Sequence, residues 1–351
     1  MEFILNKAVE YRPGCNKGVS VAVMRPCAYT SISSIGKIMK KIIALFSIVV
    51  FFSNNAFALF EVPYWGVRAL GMGGAFTAVS DGSDAAVYNI AGIAETEKPE
   101  VTFNSTKLFT GLDGFDWGTD YLAGVFPFGN KIGTAAAGWA FYGNTGLRRE
   151  DTLYIGFARE MDDVLKEFSI NPEYVSAMVG INLKYLMTET KKDGNTFTSS
   201  ALTFDFGVLL RFKYGISLGY SGRYLTKPQL GYNLGYDLGY SETDSVKQTN
   251  VLGISYYSKE LAFLKIPEFT AAVDYEMRGS ERLFAIGFES RILDNKLALR
   301  AGGWESQINF GLGYAFDIAG GKLLLDYAFG MPLEIVESSG SHFLSLTFRF
   351  P

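Results

Sequence analysis

A strict two-residue alternation runs from residue 307 to residue 317, where the chain reads QINFGLGYAFD. The large residues are Ile308, Phe310, Leu312, Tyr314 and Phe316, and the residues between them are Asn309, Gly311, Gly313, Ala315 and Asp317. Successive side chains of a strand point to opposite faces, so one face is apolar and the other is small or polar. A water-filled lumen tolerates the second face better than a packed core does. The pattern therefore predicts a membrane β-barrel.

The same rhythm recurs over residues 100 to 351 and predicts an all-β, 14-stranded antiparallel transmembrane β-barrel. The predicted strands cover residues 100–110, 117–128, 130–143, 149–159, 176–189, 197–212, 214–226, 248–257, 267–278, 281–292, 295–304, 306–317, 321–331 and 341–350. A soluble β-sandwich also alternates, but its exposed faces avoid the glycine and alanine found here. An even strand number leaves both termini on one side of the membrane, which is the periplasmic side in bacterial barrels.

The start of the chain predicts export. Residues 39–58 read MKKIIALFSIVVFFSNNAFA, with two lysines, a short apolar run and an A-x-A site, which is the pattern of a cleaved signal peptide. Residues 1–38 lie upstream of it and are interpreted as a mis-assigned start. They contain both cysteines, so the mature chain would have no disulfide or thiol chemistry. Seven of 32 basic and two of 36 acidic residues lie in 1–58, which leaves 25 against 34, a net charge of −9 that disfavours a nucleic-acid partner.

Residues 59–98 do not alternate, and barrel strands follow only from residue 99. A glycine-punctuated run, GVRALGMGGAFTAV, precedes a short predicted helix near residues 84–89. A phosphate-binding loop is disfavoured because no Gly-Lys-Ser/Thr follows and no strand–loop–helix unit surrounds it. A plug inside the lumen explains the glycines better, since they permit close packing against the inner wall. The residues assigned to this hatch and to a ligand path are Gly71, Met72, Gly73, Gly74, Phe76, Asn89 and Gly92.

The segment GVRALGMGGAFTAVSDGSDAAVYNIAGIA, residues 66–94, resembles the N-terminal signature of the FadL-like outer-membrane proteins, and most closely that of the PorV/PorQ-type branch. The signature ends in N-P-A-G-L, whereas this chain has Asn89-Ile90-Ala91-Gly92-Ile93 without the proline. The resemblance implies a 14-stranded barrel with an N-terminal hatch on the periplasmic side. The closing strand, SHFLSLTFRF, resembles the C-terminal signal that the outer-membrane assembly machinery recognises, although Pro351 follows the terminal aromatic.

The polar face predicts charged groups inside the lumen. The residues assigned to it are Asn182, Lys184, Asp205, Arg211, Asp274, Glu276 and Arg278. A solvated lumen explains them, and so does a selective path for an ion or solute, but their near balance of charge argues against a strongly ion-selective pore. The only histidine is His342, so a Ser-His-Asp triad and a multi-histidine metal site lack their parts. We predict no catalytic residues, no metal site and no cofactor.

Two further segments allow two interpretations each. Residues 229–241 contain three Leu-Gly-Tyr steps, which would either capture an apolar solute or partner, or extend a hairpin beyond the bilayer. The third strand runs through Gly133, Thr134, Ala135, Ala136, Ala137 and Gly138, which have little bulk. The FadL-like resemblance implies a side exit toward the lipid at this strand; alternatively, the small residues make room for the hatch.

These observations give two hypotheses for function. The first is passive transport of a hydrophobic, fatty-acid-like molecule across the bacterial outer membrane, with the hatch gating the lumen. The second, which follows from the PorV-type resemblance, is a component of a protein secretion or surface-attachment system. The expected partners are outer-membrane lipids, the assembly machinery, and either a hydrophobic small molecule or a secreted protein.

Overall fold

The computed structural model describes residues 60, 65–114, 116–129, 131–144, 146–192, 194–233, 241–261, 266–304, 307–335 and 337–351. The upstream extension, the signal peptide and its cleavage site lie outside these residues and stay predictions.

Sixteen strands account for most of the described chain. They are β1 (Glu100–Thr110), β2 (Trp117–Pro127), β3 (Thr134–Asn144), β4 (Arg148–Glu160), β5 (Val175–Lys192), β6 (Asn195–Phe212), β7 (Ile216–Arg223), β8 (Gln229–Asn233), β9 (Ser241–Ser245), β10 (Thr249–Leu261), β11 (Ile266–Arg278), β12 (Glu281–Ile292), β13 (Leu297–Trp304), β14 (Gln307–Ile318), β15 (Gly321–Pro332) and β16 (Gly340–Arg349).

Fourteen of these strands form one closed antiparallel barrel. Each strand pairs with its neighbours in the chain, except that β7 pairs with β10 and the hairpin β8–β9 stands outside the wall. The ring closes where β1 pairs with β16, from Glu100 opposite Arg349 to Lys107 opposite His342. The predicted closed 14-stranded antiparallel barrel is confirmed. We call the end at which β1 begins and β16 ends the terminal end, and the opposite end the far end.

The wall has an apolar outer face and a small or polar inner face. On β14, Phe310 is 51% exposed and Leu312 is 48% exposed, whereas Asn309 between strands' apolar positions is 2% exposed. The same alternation repeats around the wall and leaves a wide band of leucine, isoleucine and aromatic side chains on the outside. A band of this kind suits lipid and not water.

Four short helices accompany the strands. The first three precede the barrel: α1 (Val67–Gly71), α2 (Ala85–Tyr88) and a 3₁₀-helix (Ile90–Glu95). The fourth, α3 (Asp162–Glu167), lies in the long connection between β4 and β5 at the terminal end. In the part of the chain that the structure describes, no helix has the length and apolar character needed to cross a membrane.

Local backbone geometry explains where strand boundaries differ from the predicted ones. Strand β3 begins at Thr134 and not at residue 130, because Gly133 takes a left-handed conformation (φ +122°) and ends a turn. Strand β7 ends at Arg223, because Tyr224 is also left-handed (φ +54°) and turns the chain toward the hairpin β8–β9.

Strand β3 is continuous with both of its neighbours. It pairs with β2 from Thr134 to Gly143 and with β4 from Thr134 to Asn144, without a shift in register. The side exit implied at this strand by the resemblance is therefore not formed in this structure. The small residues leave room instead: a Cβ atom at Gly138 would lie 2.5 Å from the Tyr154 hydroxyl.

Candidate functional site inside the barrel

Residues 65–98, which we call the N-terminal segment, lie inside the barrel against its inner wall. Eight glycines from eight strands face this segment or the groups that hold it. We call them the glycine ring: Gly156, Gly180, Gly207, Gly219, Gly253, Gly287, Gly302 and Gly311. The predicted close packing of a glycine-rich segment against the wall is therefore seen from both sides of the contact.

The glycine ring brings the segment backbone into direct contact with the wall. A Cβ atom at Gly302 would lie 2.3 Å from the carbonyl carbon of Met72, and one at Gly219 would lie 2.3 Å from the carbonyl oxygen of Thr77. At Gly311 the nearest atom would be the Cα of Gly71, at 3.0 Å. Distances this short exclude any side chain, so the ring positions are small because the segment occupies the space.

The predicted hatch residues divide into packed side chains and turn residues. Met72 and Phe76 are fully buried; the Phe76 ring lies edge-on to Tyr88 with centroids 5.5 Å apart. Gly73 and Gly74 both have positive φ, +64° and +77°, and line a narrow cavity that the Met72 and Phe76 side chains do not line. The assignment of these residues to a ligand path stays a prediction.

Asn89 joins the two halves of the segment to the wall. Its Nδ2 donates to the carbonyl oxygens of Thr77 (2.9 Å) and Val208 (3.0 Å), and its Oδ1 accepts from Ala91 N (3.3 Å). Gly92 packs against the same region, since a Cβ atom there would lie 2.3 Å from the carbonyl oxygen of Ser80. The motif without the proline thus still forms a fixed turn.

A buried ion network fixes the segment near the terminal end. Arg68 Nε donates to Glu289 (2.8 Å), and its Nη1 donates to Asp81. Arg300 contacts the same Glu289 (2.7 Å) and also Asp326 (2.5 Å), with Arg300 only 4% exposed. Burial lowers the pKa of Arg68, but the carboxylates of Asp81 and Glu289 outweigh it and raise the pKa well above its usual value. Burial likewise acts to raise the pKa of Asp81, and the Arg68 guanidinium reverses the effect and lowers it.

The predicted lumen-facing residues do point inward, but most of them face the segment and one another, not bulk water. Lys184 pairs with Asp205 at 2.6 Å, and the two side chains are 1% and 6% exposed. Asn182 Nδ2 donates to the carbonyl oxygen of Ala86, and Arg211 binds Glu95 at 2.6 Å. The remaining residues of the set, Asp274, Glu276 and Arg278, lie together on β11. The interpretation of a solvated lumen was wrong for this part of the wall, because the segment displaces the water.

Cavities of unequal size lie on the two sides of the segment. At the terminal end, one cavity of about 850 Å³ and another of about 600 Å³ are lined mainly by charged and polar residues, and Arg68, Asp81 and Arg291 line both. Asp84 lines the larger one; burial, together with the charges of Asp326 and Glu100, raises its pKa to about 7. Toward the far end, a cavity of about 40 Å³ has room for roughly three water molecules.

The far end is covered by the chain between β7 and β10. Leu230 of β8 and Val246 are buried together with Leu186, Tyr224 and Phe60. The backbone N–H of Phe60 donates to Glu150 Oε2 at 3.2 Å, so the chain before residue 65 also reaches this end. β8 and β9 form the hairpin that one interpretation of the Leu-Gly-Tyr repeat predicts, but the middle of the repeat lies outside the described residues.

Chemistry-bearing groups are placed as a barrel wall requires. His342 is exposed on β16, where its Nδ1 lies 2.8 Å from the hydroxyl of Tyr327. Among the described residues, no three His, Cys, Asp or Glu side chains come together in a way that could hold a metal ion. Sequence reasoning missed Arg68 and Asp81; the signal available was that Arg68 is the only charged residue in the glycine run.

No family model matches this chain, and no curated protein does. Solved structures do match. The toluene transporter TbuX of Ralstonia pickettii has 12% sequence identity and a TM-score of 0.52, with 83% of this chain and 99% of that chain covered. A FadL homologue of Pseudomonas aeruginosa has 12% identity and a TM-score of 0.50, with 85% and 99% covered.

The monoaromatic hydrocarbon channel CymD is similar to the same extent. It has 13% identity and a TM-score of 0.52, with 83% of this chain and 98% of that chain covered. Identities this low establish shape and not substrate. Together with the closed ring of strands, they show that this chain has the fold of these transport barrels.

Proposed function

We propose that the chain is an outer-membrane barrel that lets small hydrophobic molecules cross passively, with the N-terminal segment as the hatch. The observation that carries the proposal is the packing of the segment on the glycine ring, which fills the middle of the lumen. A filled lumen does not suit an open water channel. The names of the solved structures with this fold, a toluene transporter and a monoaromatic hydrocarbon channel, support a hydrophobic substrate.

The apolar outer band supports membrane insertion, and the predicted signal peptide supports export to the bacterial outer membrane. On β16, Leu344 and Leu346 are exposed toward the lipid face while Ser345 is buried. This arrangement is compatible with the proposed recognition of the strand by the assembly machinery. Lipid is then the partner of the outer face, and the transported molecule is the partner of the lumen.

A disulfide lock tests whether the segment gates the lumen. The hydroxyls of Ser83, in the segment, and Thr102, on β1, lie 2.6 Å apart, so the double variant S83C/T102C places two sulfurs within bonding reach. The mature chain would have no other cysteine. Uptake of radiolabelled toluene by intact Gram-negative cells that express the variant should fall at least several-fold on oxidation and return on reduction.

The wall offers a matched control for the lock. The hydroxyls of Thr102 and Thr347 also lie 2.6 Å apart, but both belong to the wall, on β1 and β16. The variant T102C/T347C should therefore take up toluene equally well when oxidised and when reduced. Uptake by reduced wild-type cells that is no faster than in cells without the protein would overturn the proposed function.

The second candidate function, a PorV-type component of protein secretion or surface attachment, rests on the residue 66–94 motif alone. It requires cargo proteins with a shared C-terminal sorting domain in the same genome. Deleting the gene should then leave those cargo proteins in the periplasm. Normal surface attachment of every such protein in the deletion strain would remove this candidate.

A further inference from the structure

The narrow cavity toward the far end, which we call the slot, separates the N-terminal segment from the wall at β10 to β14. Gly74 and Thr77 border it on the segment side, and Val251, Ala285 and Trp304 border it on the wall side. The void is about 560 Å³ with the part open to solvent, but only about 40 Å³ lies far enough from every atom for the centre of a water molecule. Such a shape suits a flat ring better than a branched chain.

One polar atom at the slot lacks a partner. Asp274 is 3% exposed, and its Oδ2 accepts the backbone N–H groups of Phe76 (3.0 Å) and Thr77 (2.8 Å). Its Oδ1 has no hydrogen-bond partner among the described residues, and Asp274 lines the slot. A buried carboxylate oxygen without a donor is strongly unfavourable, so a ligand that brings a donor to it is favoured.

The charges beside the slot decide which donor fits. Glu276 accepts from Arg223 (2.9 Å) and from Arg278 (2.5 Å), so these two guanidinium groups face the two carboxylates of Glu276 and Asp274. Two positive and two negative groups balance, and a ligand cation would leave an excess positive charge in a poorly hydrated place. A neutral hydroxyl supplies the missing donor without that excess.

The apolar wall of the slot includes an aromatic surface. Trp304 lines the slot, and the Arg278 guanidinium lies 6.0 Å from its ring centroid. Ala285 beside it is 6% exposed and leaves space because its side chain is small. A ligand ring would contact the indole and Ala285, and the indole is large enough to stack on such a ring.

We propose that the slot binds a small phenol, whose hydroxyl donates to Asp274 Oδ1 while its ring lies against Ala285 and Trp304. The proposal names a substrate class for the proposed transport function and rests on that function. It differs from simple hydrocarbon transport, because a methylbenzene without a hydroxyl would leave Oδ1 without a donor.

The test compares p-cresol with toluene, which share a methylbenzene body and differ by one hydroxyl. Isothermal titration of each compound into the purified detergent-solubilised protein should give p-cresol a roughly tenfold to hundredfold higher affinity. In D274N the amide oxygen retains the backbone contacts to Phe76 and Thr77 and its NH₂ replaces the free acceptor, so the preference for p-cresol should disappear while toluene affinity stays the same.

Two further variants keep the test decisive. D317N removes a carboxylate of β14 that is 63% exposed and does not line the slot, and it should keep the wild-type preference. A285L fills the slot and should weaken both ligands, which tests the site even if D274N fails to fold.

The site and the transport function fail in different ways. Equal affinity of the wild type for the two compounds would overturn the phenol site, even if toluene is taken up by cells. A preference for p-cresol that D274N abolishes would support the site, even if neither compound is taken up.

Discussion

The two sides of the N-terminal segment are built differently. On the terminal side, charged residues line open cavities of about 850 and 600 Å³, and the ion pairs of Arg68 and Arg300 lie at their border. On the far side, backbone rests on glycine, and the cavity left over is about 40 Å³. The difference indicates that a molecule released on the terminal side meets water at once, whereas one that enters from the far side must first displace packed atoms.

The largest effect is expected where the network is deepest. R300M removes the partner of Asp326 and one partner of Glu289, and carboxylates left buried without a partner typically cost about 3 to 5 kcal/mol. The free energy of unfolding from urea titration in detergent micelles should fall by that amount. K296M, which breaks a pair whose side chains are 50% and 63% exposed, should change it by less than about 1 kcal/mol. Equal losses in the two variants would show that the terminal side is not held by its buried charges.

The next effect tests the packed side. G302V places a side chain where a Cβ atom alone would lie 2.3 Å from Met72 C and 2.5 Å from Gly73 N, so the segment should lose its seat at a cost of about 2 to 3 kcal/mol. Protease added to the purified protein should then cleave the segment.

The neighbouring glycine is the control for this variant. At Gly303 the nearest atom to an added Cβ would be Gln307 O at 3.5 Å, an ordinary contact, so G303V should resist the protease as the wild type does. A resistant G302V would mean that the ring does not hold the segment.

A smaller effect is expected from the link between the two halves of the segment. N89A leaves the carbonyl oxygens of Thr77 and Val208 without the donor they share, which should lower the free energy of unfolding by about 1 to 2 kcal/mol. N295A removes an exposed bond from Asn295 Nδ2 to Glu268 and should have almost no effect. If the two asparagines behave alike, the Asn89 contacts are not important for the packing.

The smallest effect is a dependence on pH. The pKa of Asp84 is raised to about 7 by burial and by Asp326 and Glu100, so the folded protein binds this proton more tightly than the unfolded chain. The stabilisation is complete below about pH 4 and is lost as the pH rises through 7. Amide exchange in residues 65–98, corrected for the intrinsic pH effect, should therefore be slower at pH 5 than at pH 8.

The variant D84N should remove most of this pH dependence, because the amide does not titrate. A dependence of equal size in D84N and the wild type would assign the effect to another group.

The strands were predictable because alternation is a local signal. The strand predicted at residues 306–317 is β14, Gln307–Ile318, and the count of fourteen is confirmed. The exceptions are turns: Gly133 and Tyr224 adopt positive φ, and the pattern of large and small residues does not report backbone handedness.

The site was less predictable because its contacts cross the chain. Gly302 and Met72 are far apart in sequence, and only the register of the whole barrel brings them together. In the same way, the near balance of inward charges was visible, but the pairing of Arg300 with Asp326 spans β13 to β15. Glycines that were first interpreted as facing water turned out to face protein, a distinction that composition does not make.

The glycine ring also limits how the chain can change over evolutionary time. On the outer face, one apolar residue can replace another with little consequence, because lipid is fluid and adapts to the new shape. At Gly219, Gly287 and Gly302 even alanine is excluded by a neighbouring backbone atom less than 2.5 Å away. Natural variants should therefore drift on the outside of the wall while these inner positions remain glycine, unless the segment they face changes at the same time.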